Sequence, residues 1–242
     1  MDRVVEVEQR CADAWPALRD VPLGEWRLRA AGGFTGRANS ALTTGSPGCP
    51  VPWALRLVRA FAARNAIAPT AHVVVGSRSE EAVSAAGWRV DAAHPGGAES
   101  LVLTGRPESF ASPKGDGVGV SAVPTSAWWE LTAQDNPTPA QRHVLGSGFI
   151  VGFGSVVRGG RVVAAVRGAV VGDLLHIARL VVRPEVRRGG VARALMGGLA
   201  SWGVANGATR CALQVAEHNT AALTLYASLG CTEHHRYRYW IP

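Results

Sequence analysis

The sequence predicts a protein of the α/β (α+β) class, with mixed, mostly antiparallel sheets flanked by helices. Two apolar runs, 176–182 and 210–215, are typical of buried strands, and an amphipathic helical pattern that begins at Val191 lies between them. Further upstream, 149–157 and 161–170 alternate as the two strands of a hairpin around a Gly-Gly turn. A strand near 118–123 and a helix around 126–133 precede the hairpin.

The composition is that of an ordinary globular protein with room for one large domain or two small ones. The chain has 242 residues, of which 47% are hydrophobic and 18% charged. Its first residues are too acidic for a signal peptide, and 189–208 is better interpreted as a packed helix than as a membrane span. The four cysteines show no metal-ligand spacing. We therefore expect a cytoplasmic protein with free thiols, no metal and no membrane association.

The formal net charge of +7 raises the hypothesis of a nucleic-acid partner. The basic residues are almost all arginine, however, and Lys114 is the only lysine. The sequence also has no run of lysines of the kind that nucleic-acid-binding surfaces carry. We therefore do not expect nucleic acid as the main partner. The densest arginine cluster comprises Arg179, Arg183, Arg187, Arg188 and Arg193.

This cluster surrounds a turn that has the chemistry of an anion site. Pro184 ends the strand, Arg187-Arg188-Gly189-Gly190 follows, and the helix begins at Val191. Glycines allow close backbone approach, free N–H groups and the helix dipole favour negative charge, and the two arginines add full charges. A pyrophosphate is the expected ligand, and a surface turn with two solvated arginines is the alternative. The patterns of a P-loop and of a dinucleotide fingerprint are both absent from this turn.

Val-x-Pro-x-x-Arg-Arg-x-Gly-Val-Ala, residues 182–192, resembles the coenzyme A loop of the GNAT superfamily of N-acetyltransferases. Residues 219–230 are similar to the last GNAT helix, and the resemblance extends over about 117–242. It implies acetyl-CoA as co-substrate, main-chain contacts with its pantetheine arm, and a pyrophosphate at the turn. The residues implied in binding are Leu180, Val181, Val182, Arg187, Arg188, Gly189, Gly190, Val191, Ala192, Asn219 and Tyr226.

The resemblance also implies catalytic roles. Tyr226 is expected to donate a proton to the departing thiolate, and a packing role is the alternative. Where many ribosomal-protein acetyltransferases have a glutamate, this chain has Gln214, which argues against carrying that substrate class over. Glu217 and His176 are the candidate bases, and His218 is a further one. The alternatives are a structural role for His176 and, for Glu217, electrostatic stabilisation of the helix N-terminus that follows it. Trp128 and Trp129 fit either the acceptor side or the core.

The first half resembles a degenerate copy of the same fold. Displaced by 140 residues, the helical segment 51–65 falls on 191–205, and Val73 falls on Leu213. We therefore expect a degenerate GNAT-like domain at 1–110, a catalytic GNAT domain at 117–242 and a join at 106–117, although a generic α/β rhythm would also explain the repeat. Opposite the arginine-glycine turn stand Pro47, Pro50 and Pro52. After a three-residue deletion later in the first half, Val83 stands opposite Tyr226.

The expected function is acetyl-CoA-dependent N-acetylation of a primary amine of a small molecule or peptide by direct transfer. The partners are acetyl-CoA and the amine acceptor, and the protein is expected to be a monomer or a homodimer. The alternative is a non-catalytic module that binds acetyl-CoA for regulation.

Overall fold

The computed structural model describes residues 3–110 and 118–242. The helices in these ranges are α1 Arg3–Ala14, α2 Val51–Arg64, α3 Arg78–Ala85, α4 Ser126–Thr132, α5 Pro139–Gly146, α6 Val191–Ala205 and α7 Thr220–Ser228. The strands are β1 Arg19–Leu23, β2 Trp26–Ala30, β3 Ala41–Leu42, β4 Ala71–Val74, β5 Arg89–Val90, β6 Glu99–Gly105, β7 Val118–Ser121, β8 Ile150–Arg158, β9 Arg161–Val171, β10 Leu174–Val182, β11 Arg210–Ala216 and β12 Thr232–Ile241.

The chain forms two compact units. The first comprises Met1–Val102, Gln214–Thr220 and Glu233–Pro242, and the second comprises Leu103–Leu213 and Ala221–Thr232. The last strand, β12, therefore belongs almost entirely to the first unit, although it follows the second in sequence.

The first unit contains strands in the order β1-β2-β3-β4-β12, with β5 on β12. Strands β1, β2 and β3 pair antiparallel, β3 and β4 pair parallel across the crossover helix α2, and β12 pairs antiparallel with β4. Its apolar core is built around Trp26, Leu55, Val73, Val83 and Trp88, all of which are buried. The apolar residues of α2 and α3 thus have a sheet to pack on.

The second unit repeats this arrangement with longer strands, in the order β11-β10-β9-β8-β7. Strands β8, β9 and β10 pair antiparallel, and β10 pairs parallel with β11 across α6. A mixed, mostly antiparallel sheet flanked by helices is the predicted fold class, and it is confirmed.

Helices α4 and α6 cover opposite faces of this sheet. This follows from β8, where neighbouring residues point to opposite faces and two of them contact different helices. Phe153 contacts the ring of Trp128 from α4, with 5.0 Å between the ring centroids. At Gly152 a Cβ atom would lie 2.7 Å from the Trp202 side chain of α6. Glycine at this position therefore lets α6 lie close to the sheet.

Most predicted elements in the described ranges lie within one or two residues of their observed bounds. The helix expected from Val191 begins there, and the helical segment 51–65 ends at Arg64. Within the expected join, Pro107–Phe110 forms a short 3-10 helix with Phe110 fully buried, while 111–117 lie outside the described residues.

Candidate acetyl-CoA site

Strand β10 is interrupted where the pantetheine arm was expected to bind. Its parallel pairing with β11 ends at Ile177↔Leu213, and its antiparallel pairing with β9 shifts register between Ala178 and Val181. Arg179, within this bulge, has a left-handed φ of 59°. Because the pairing with β11 ends at Ile177, the backbone groups of 178–182 that face β11 lie outside that ladder and can pair with a ligand.

The turn after β10 is compact and curved. A short 3-10 helix, Pro184–Val186, follows the strand, and the N–H of Arg187 donates to the Pro184 carbonyl at 3.2 Å. Arg188 and Gly190 both adopt left-handed backbone conformations, with φ of 59° and 74°. Left-handed residues in a turn direct successive N–H groups into a concavity, which is the geometry of a backbone anion site.

Helix α6 begins directly after this turn, at Val191. The first N–H groups of a helix have no intrahelical acceptor, so those of Val191 and Ala192 remain available at the turn. Gly190 closes the first turn by accepting the Ala194 N–H at 3.0 Å. The Arg187 Nε donates a hydrogen bond to the Val182 carbonyl at 3.1 Å. Within the described ranges, Arg188 is exposed and forms no ion pair, which makes it the arginine best suited to a phosphate.

Three other arginines of the cluster have structural contacts. Arg183 donates to Glu130 of α4 at 2.9 Å and to the Val162 carbonyl at 3.0 Å. Arg193 donates to the Ser228 hydroxyl at 2.5 Å, which joins α6 to α7. Arg179 donates to the carbonyl of Thr132, the last residue of α4. The sequence cluster therefore divides into arginines that hold helices and arginines that face the turn.

Tyr226 lies on α7 and is 8% exposed. Burial, with a smaller contribution from the neighbouring Cys231, raises the pKa of Tyr226 to about 12. The phenol therefore keeps its proton throughout the neutral range, as a proton donor must. Asn219 directly precedes α7, and its N–H donates to the Ala216 carbonyl at 3.0 Å.

The base candidates differ sharply in exposure. His176 is fully buried in the middle of β10, beside Ala169 of β9 and Ala212 of β11. Glu217 is exposed in the turn after β11, where its N–H donates to the Glu99 carbonyl at 3.2 Å. His218 is also exposed. Gln214 accepts a hydrogen bond from the Arg37 guanidinium, so its side-chain oxygen is already engaged.

The two tryptophans of α4 have different surroundings. Trp128 is 1% exposed and its Nε1 donates to the Val166 carbonyl at 3.2 Å, so it is a core residue. Trp129 is only partly buried, and the Arg142 guanidinium lies 5.9 Å from its ring centroid. Of the pair, Trp129 is the one that a ligand could reach.

Sequence reasoning missed Arg179 as the residue that forms the bulge. A positive φ at a non-glycine residue is uncommon, and strain of this kind concentrates at functional sites. Nothing in a run of apolar and basic residues signals a backbone reversal. The one available signal was the position, directly before the main chain expected to bind the pantetheine arm.

The family model "Probable histone acetyltransferase Rv0428c C-terminal" matches residues 3–240. The chain therefore belongs to this family of acetyltransferases. The match extends through both units. No curated protein matches the sequence.

Solved structures show the same fold. A GCN5-related N-acetyltransferase from Kribbella flavida aligns with a TM-score of 0.68 at 17% identity, over 99% of this chain and 95% of its own. A putative GNAT-family acetyltransferase from Novosphingobium aromaticivorans aligns with a TM-score of 0.57 at 19% sequence identity, over 92% of this chain and 90% of its own. A tandem GNAT protein from the clavulanic acid biosynthesis pathway aligns with a TM-score of 0.61 at 15% sequence identity, over 83% of this chain and 74% of its own. These similarities establish the GNAT fold.

Two features concern the described residues as a whole. None of the helices in 3–110 and 118–242 combines the length and apolar character needed to cross a bilayer. The same ranges hold no group of three or more His, Cys, Asp or Glu side chains arranged to bind a metal ion.

Proposed function

We propose that this acetyltransferase transfers the acetyl group of acetyl-CoA directly to a primary amine of a small molecule or peptide. The observation that carries the proposal is structural: in the second unit a strand bulge is followed by a tight turn and then by the start of a helix. Beyond Ile177 the main-chain groups that face β11 are available to a ligand, and the turn ends in left-handed Arg188 and Gly190 in front of α6. This arrangement suits a ligand with an amide-containing arm and a pyrophosphate.

Binding is assigned to three groups of residues. The main chain of Leu180, Val181 and Val182 pairs with the pantetheine arm. The turn from Arg187 to Gly190 and the N–H groups of Val191 and Ala192 hold the pyrophosphate, with Arg188 supplying a full charge. Asn219 contacts the arm. Anchoring the distant end of acetyl-CoA aligns its thioester for attack.

The chemistry follows from the same residues. The amine nitrogen attacks the thioester carbonyl, and a backbone N–H at Leu180 or Val181 stabilises the negative charge that develops on the carbonyl oxygen. The carbon–sulfur bond then breaks, and Tyr226 gives its phenolic proton to the departing thiolate. The proton lost by the amine goes to water or to Glu217, the more exposed candidate; the full burial of His176 favours a structural role.

The acceptor is an amine in this proposal because direct transfer in GNAT enzymes uses a neutral nitrogen as the nucleophile. No covalent intermediate with the enzyme forms. The family is named after a probable histone acetyltransferase, whose acceptor would be a protein amine and therefore within the same class. The degenerate first half completes the proposal: the domain at 1–110 keeps the fold without a coenzyme A site, and 117–242 is catalytic. Both units contain a parallel strand pair joined by a crossover helix, which supports a shared fold for the two halves.

The test is release of free thiol from acetyl-CoA in the presence of a panel of amines that includes polyamines, amino acids and lysine peptides. We expect at least one amine to stimulate thiol release and to become acetylated by mass spectrometry. Arg188→Glu should abolish the activity at fixed acetyl-CoA. Binding of acetyl-CoA without acetylation of any amine would instead identify the non-catalytic module.

A further inference from the structure

The outward face of helix α2 carries arginine and tryptophan side chains that the proposed reaction does not use. The apolar side of the helix, which includes Leu55, is buried in the core of the first unit. Trp53, Arg56, Arg59 and Arg64 are exposed. At 3.6 residues per turn, these four side chains leave the helix within about 140° of one another. They therefore form one surface, hereafter the α2 patch.

The positive charge of the α2 patch is not compensated within the described part of the chain. None of its three arginines forms an ion pair there, and α2 itself contains no acidic residue. Helix α3 packs beside α2 and has Glu80 and Glu81 in its first turn. The Glu80 carboxylate is engaged elsewhere, because it accepts the Gly76 N–H at 2.6 Å and lies 3.4 Å from Arg238.

Other arginines of the first unit are paired with carboxylates. Arg27 contacts Asp20 at 2.6 Å, and Arg236 contacts Glu99 at 2.8 Å. Since the whole chain has a formal net charge of +7, the arginines of α2 belong to a surplus that no carboxylate of the protein has to neutralise. Such a surplus, concentrated on one helix face, attracts a polyanion.

The α2 patch also offers an aromatic surface. Trp53 is 49% exposed, and the Arg56 guanidinium lies 4.7 Å from the centroid of its ring. The Arg59 guanidinium lies 5.6 Å from the ring of Trp88, which is buried. Contacts of this kind between a guanidinium and an indole are attractive, so they hold both arginines close to the helix surface. The Trp53 indole remains open to a planar ligand.

The combination favours one class of polyanion. Binding to a lipid surface needs an apolar helix face that enters the membrane, and the apolar face of α2 is already buried in the first unit. An acidic peptide would pair with the arginines but would leave Trp53 without a planar partner. A nucleic-acid single strand supplies phosphates for the arginines and unstacked bases for the indole. Arg56 and Arg64 are about 12 Å apart along the helix axis, so the charges follow a line that a phosphate backbone can track.

We propose that the α2 patch binds single-stranded nucleic acid. Phosphates of the strand contact Arg56, Arg59 and Arg64, and one base stacks on Trp53. The strand is a second ligand, separate from acetyl-CoA and from the amine acceptor. The sequence alone does not reveal this surface, because the arginines share a face only once the helix is formed.

The probe is a fluorescein-labelled oligothymidylate of about 20 nucleotides, which exceeds the site size of most compact single-strand sites. Thymine has no amino group to acetylate, so failure of the proposed enzyme activity leaves the result unaffected. Fluorescence anisotropy on the full chain should show saturable binding at low salt. The slope of log K against log salt should be about −2, because each phosphate contact of a single strand contributes about −0.7.

Two kinds of variant separate charge from stacking. The double variant Arg56→Gln/Arg64→Gln should bring the slope to about −0.7, since one phosphate contact remains. Trp53→Ala should weaken binding about ten-fold with an unchanged slope, because it removes one stacked base and no charge. The matched control, Arg106→Gln/Arg158→Gln, removes the same charge from exposed positions of the second unit and should retain the wild-type slope.

Circular dichroism checks that each variant is folded, as expected for substitutions at exposed positions. Equal loss of slope in the two double variants would overturn the proposal, because binding would then depend on net charge and not on α2. Wild-type affinity in Trp53→Ala, or no saturable binding of the oligonucleotide at low salt, would overturn it as well. Binding of phosphatidylserine vesicles in place of the oligonucleotide, lost in Arg56→Gln/Arg64→Gln, would assign the α2 patch to a membrane surface instead.

Discussion

Two turns of this molecule occupy the same place in the same topology and differ in chemistry. Each follows a strand that pairs parallel with the next, β3 with β4 and β10 with β11, and each leads into the crossover helix. These helices begin at Val51 and Val191, 140 residues apart. Before α6 the turn contains Arg187, Arg188 and Gly190; before α2 the corresponding positions are Pro47, Gly48 and Pro50.

The comparison teaches that the fold and the anion site have separate requirements. Buried residues of α2 and β4, such as Leu55 and Val73, maintain a packed sheet without any arginine in the turn. The anion site needs left-handed backbone, unpaired N–H groups and charge, and only the turn before α6 combines them. In the turn before α2, Glu25 takes the Ser46 N–H.

The largest expected effect is on coenzyme A binding. Arg188→Glu places a negative charge against the phosphates, and Gly190→Pro removes a donor from a residue whose φ of 74° proline cannot adopt. Either variant should reduce binding below detection by calorimetry with unchanged circular dichroism. Arg56→Glu, a charge reversal on α2 of the first unit, is the matched control and should bind like the wild type. Undiminished affinity of Arg188→Glu would disprove the assignment of the turn.

The second effect concerns stability and pH in the first unit. Glu8 is 2% exposed, and its carboxylate lies 3.1 Å from His72 and 2.7 Å from His235. Burial alone would raise its pKa, but the two imidazoles outweigh burial and hold the pKa below the ordinary value. The ionised carboxylate therefore stabilises the fold above the unfolded-state pKa of about 4.3, and this contribution is lost as pH falls through the lower folded-state pKa.

Glu8→Gln should lower the free energy of unfolding at neutral pH by about 2 kcal/mol, because the buried carboxylate loses its charge-assisted contacts with the two imidazoles. It should also flatten the acid limb of stability below about pH 4. Urea unfolding at a series of pH values measures both. Equal acid limbs for wild type and variant would contradict the account. Coenzyme A affinity, measured at low denaturant, should not change.

A smaller effect is expected at Tyr226. Tyr226→Phe should lower turnover about ten-fold or more with little change in acetyl-CoA affinity, because the hydroxyl acts on the developing thiolate. Steady-state kinetics and calorimetry separate the two quantities. Tyr239→Phe, which removes a buried phenol from the first unit, is the control and should retain turnover. Normal turnover with reduced stability would make Tyr226 a packing residue.

The smallest effect is expected in the turn before α2. Glu25→Gln weakens a charge-assisted hydrogen bond to Ser46 at an exposed site, so it should cost about 0.5–1 kcal/mol of stability. Thermal unfolding measures this loss. The variant should still bind no second coenzyme A, because Pro47 and Pro50 lack N–H groups whether or not Glu25 is charged. Gain of a second site would show that Glu25 alone closes the turn.

Local periodicity was enough to predict much of the fold. The helix at Val191 follows from apolar spacing, and the helix expected within 219–230 ends two residues before Gly230, whose observed φ is 83°. Strand β3 has two residues, too few for any alternation to be recognised. The partner of β12 was also unpredictable, because the pattern of a strand does not state which strand it pairs with.

The candidate site was predictable to a similar degree. The turn before α6 and the helix that carries Tyr226 could be predicted because glycine, arginine and tyrosine occur at fixed spacing along the chain; the role of Tyr226 in acetyl transfer stays a prediction. The reversal at Arg179 and the contact of Glu25 with Ser46 could not, since both depend on tertiary geometry. The arginine cluster also needed the structure, because Arg183 and Arg193 are engaged in holding helices.

The most direct test of the comparison is the stoichiometry of coenzyme A binding to the intact chain. A fragment ending at residue 110 would lack β12, which pairs with β4, so the full protein is required. Calorimetric titration should give one equivalent per wild-type chain and none for Arg188→Glu. Two equivalents for the wild type, or one remaining in Arg188→Glu, would contradict the account, because the turn before α2 would then bind the anion that its prolines and Glu25 are argued to exclude.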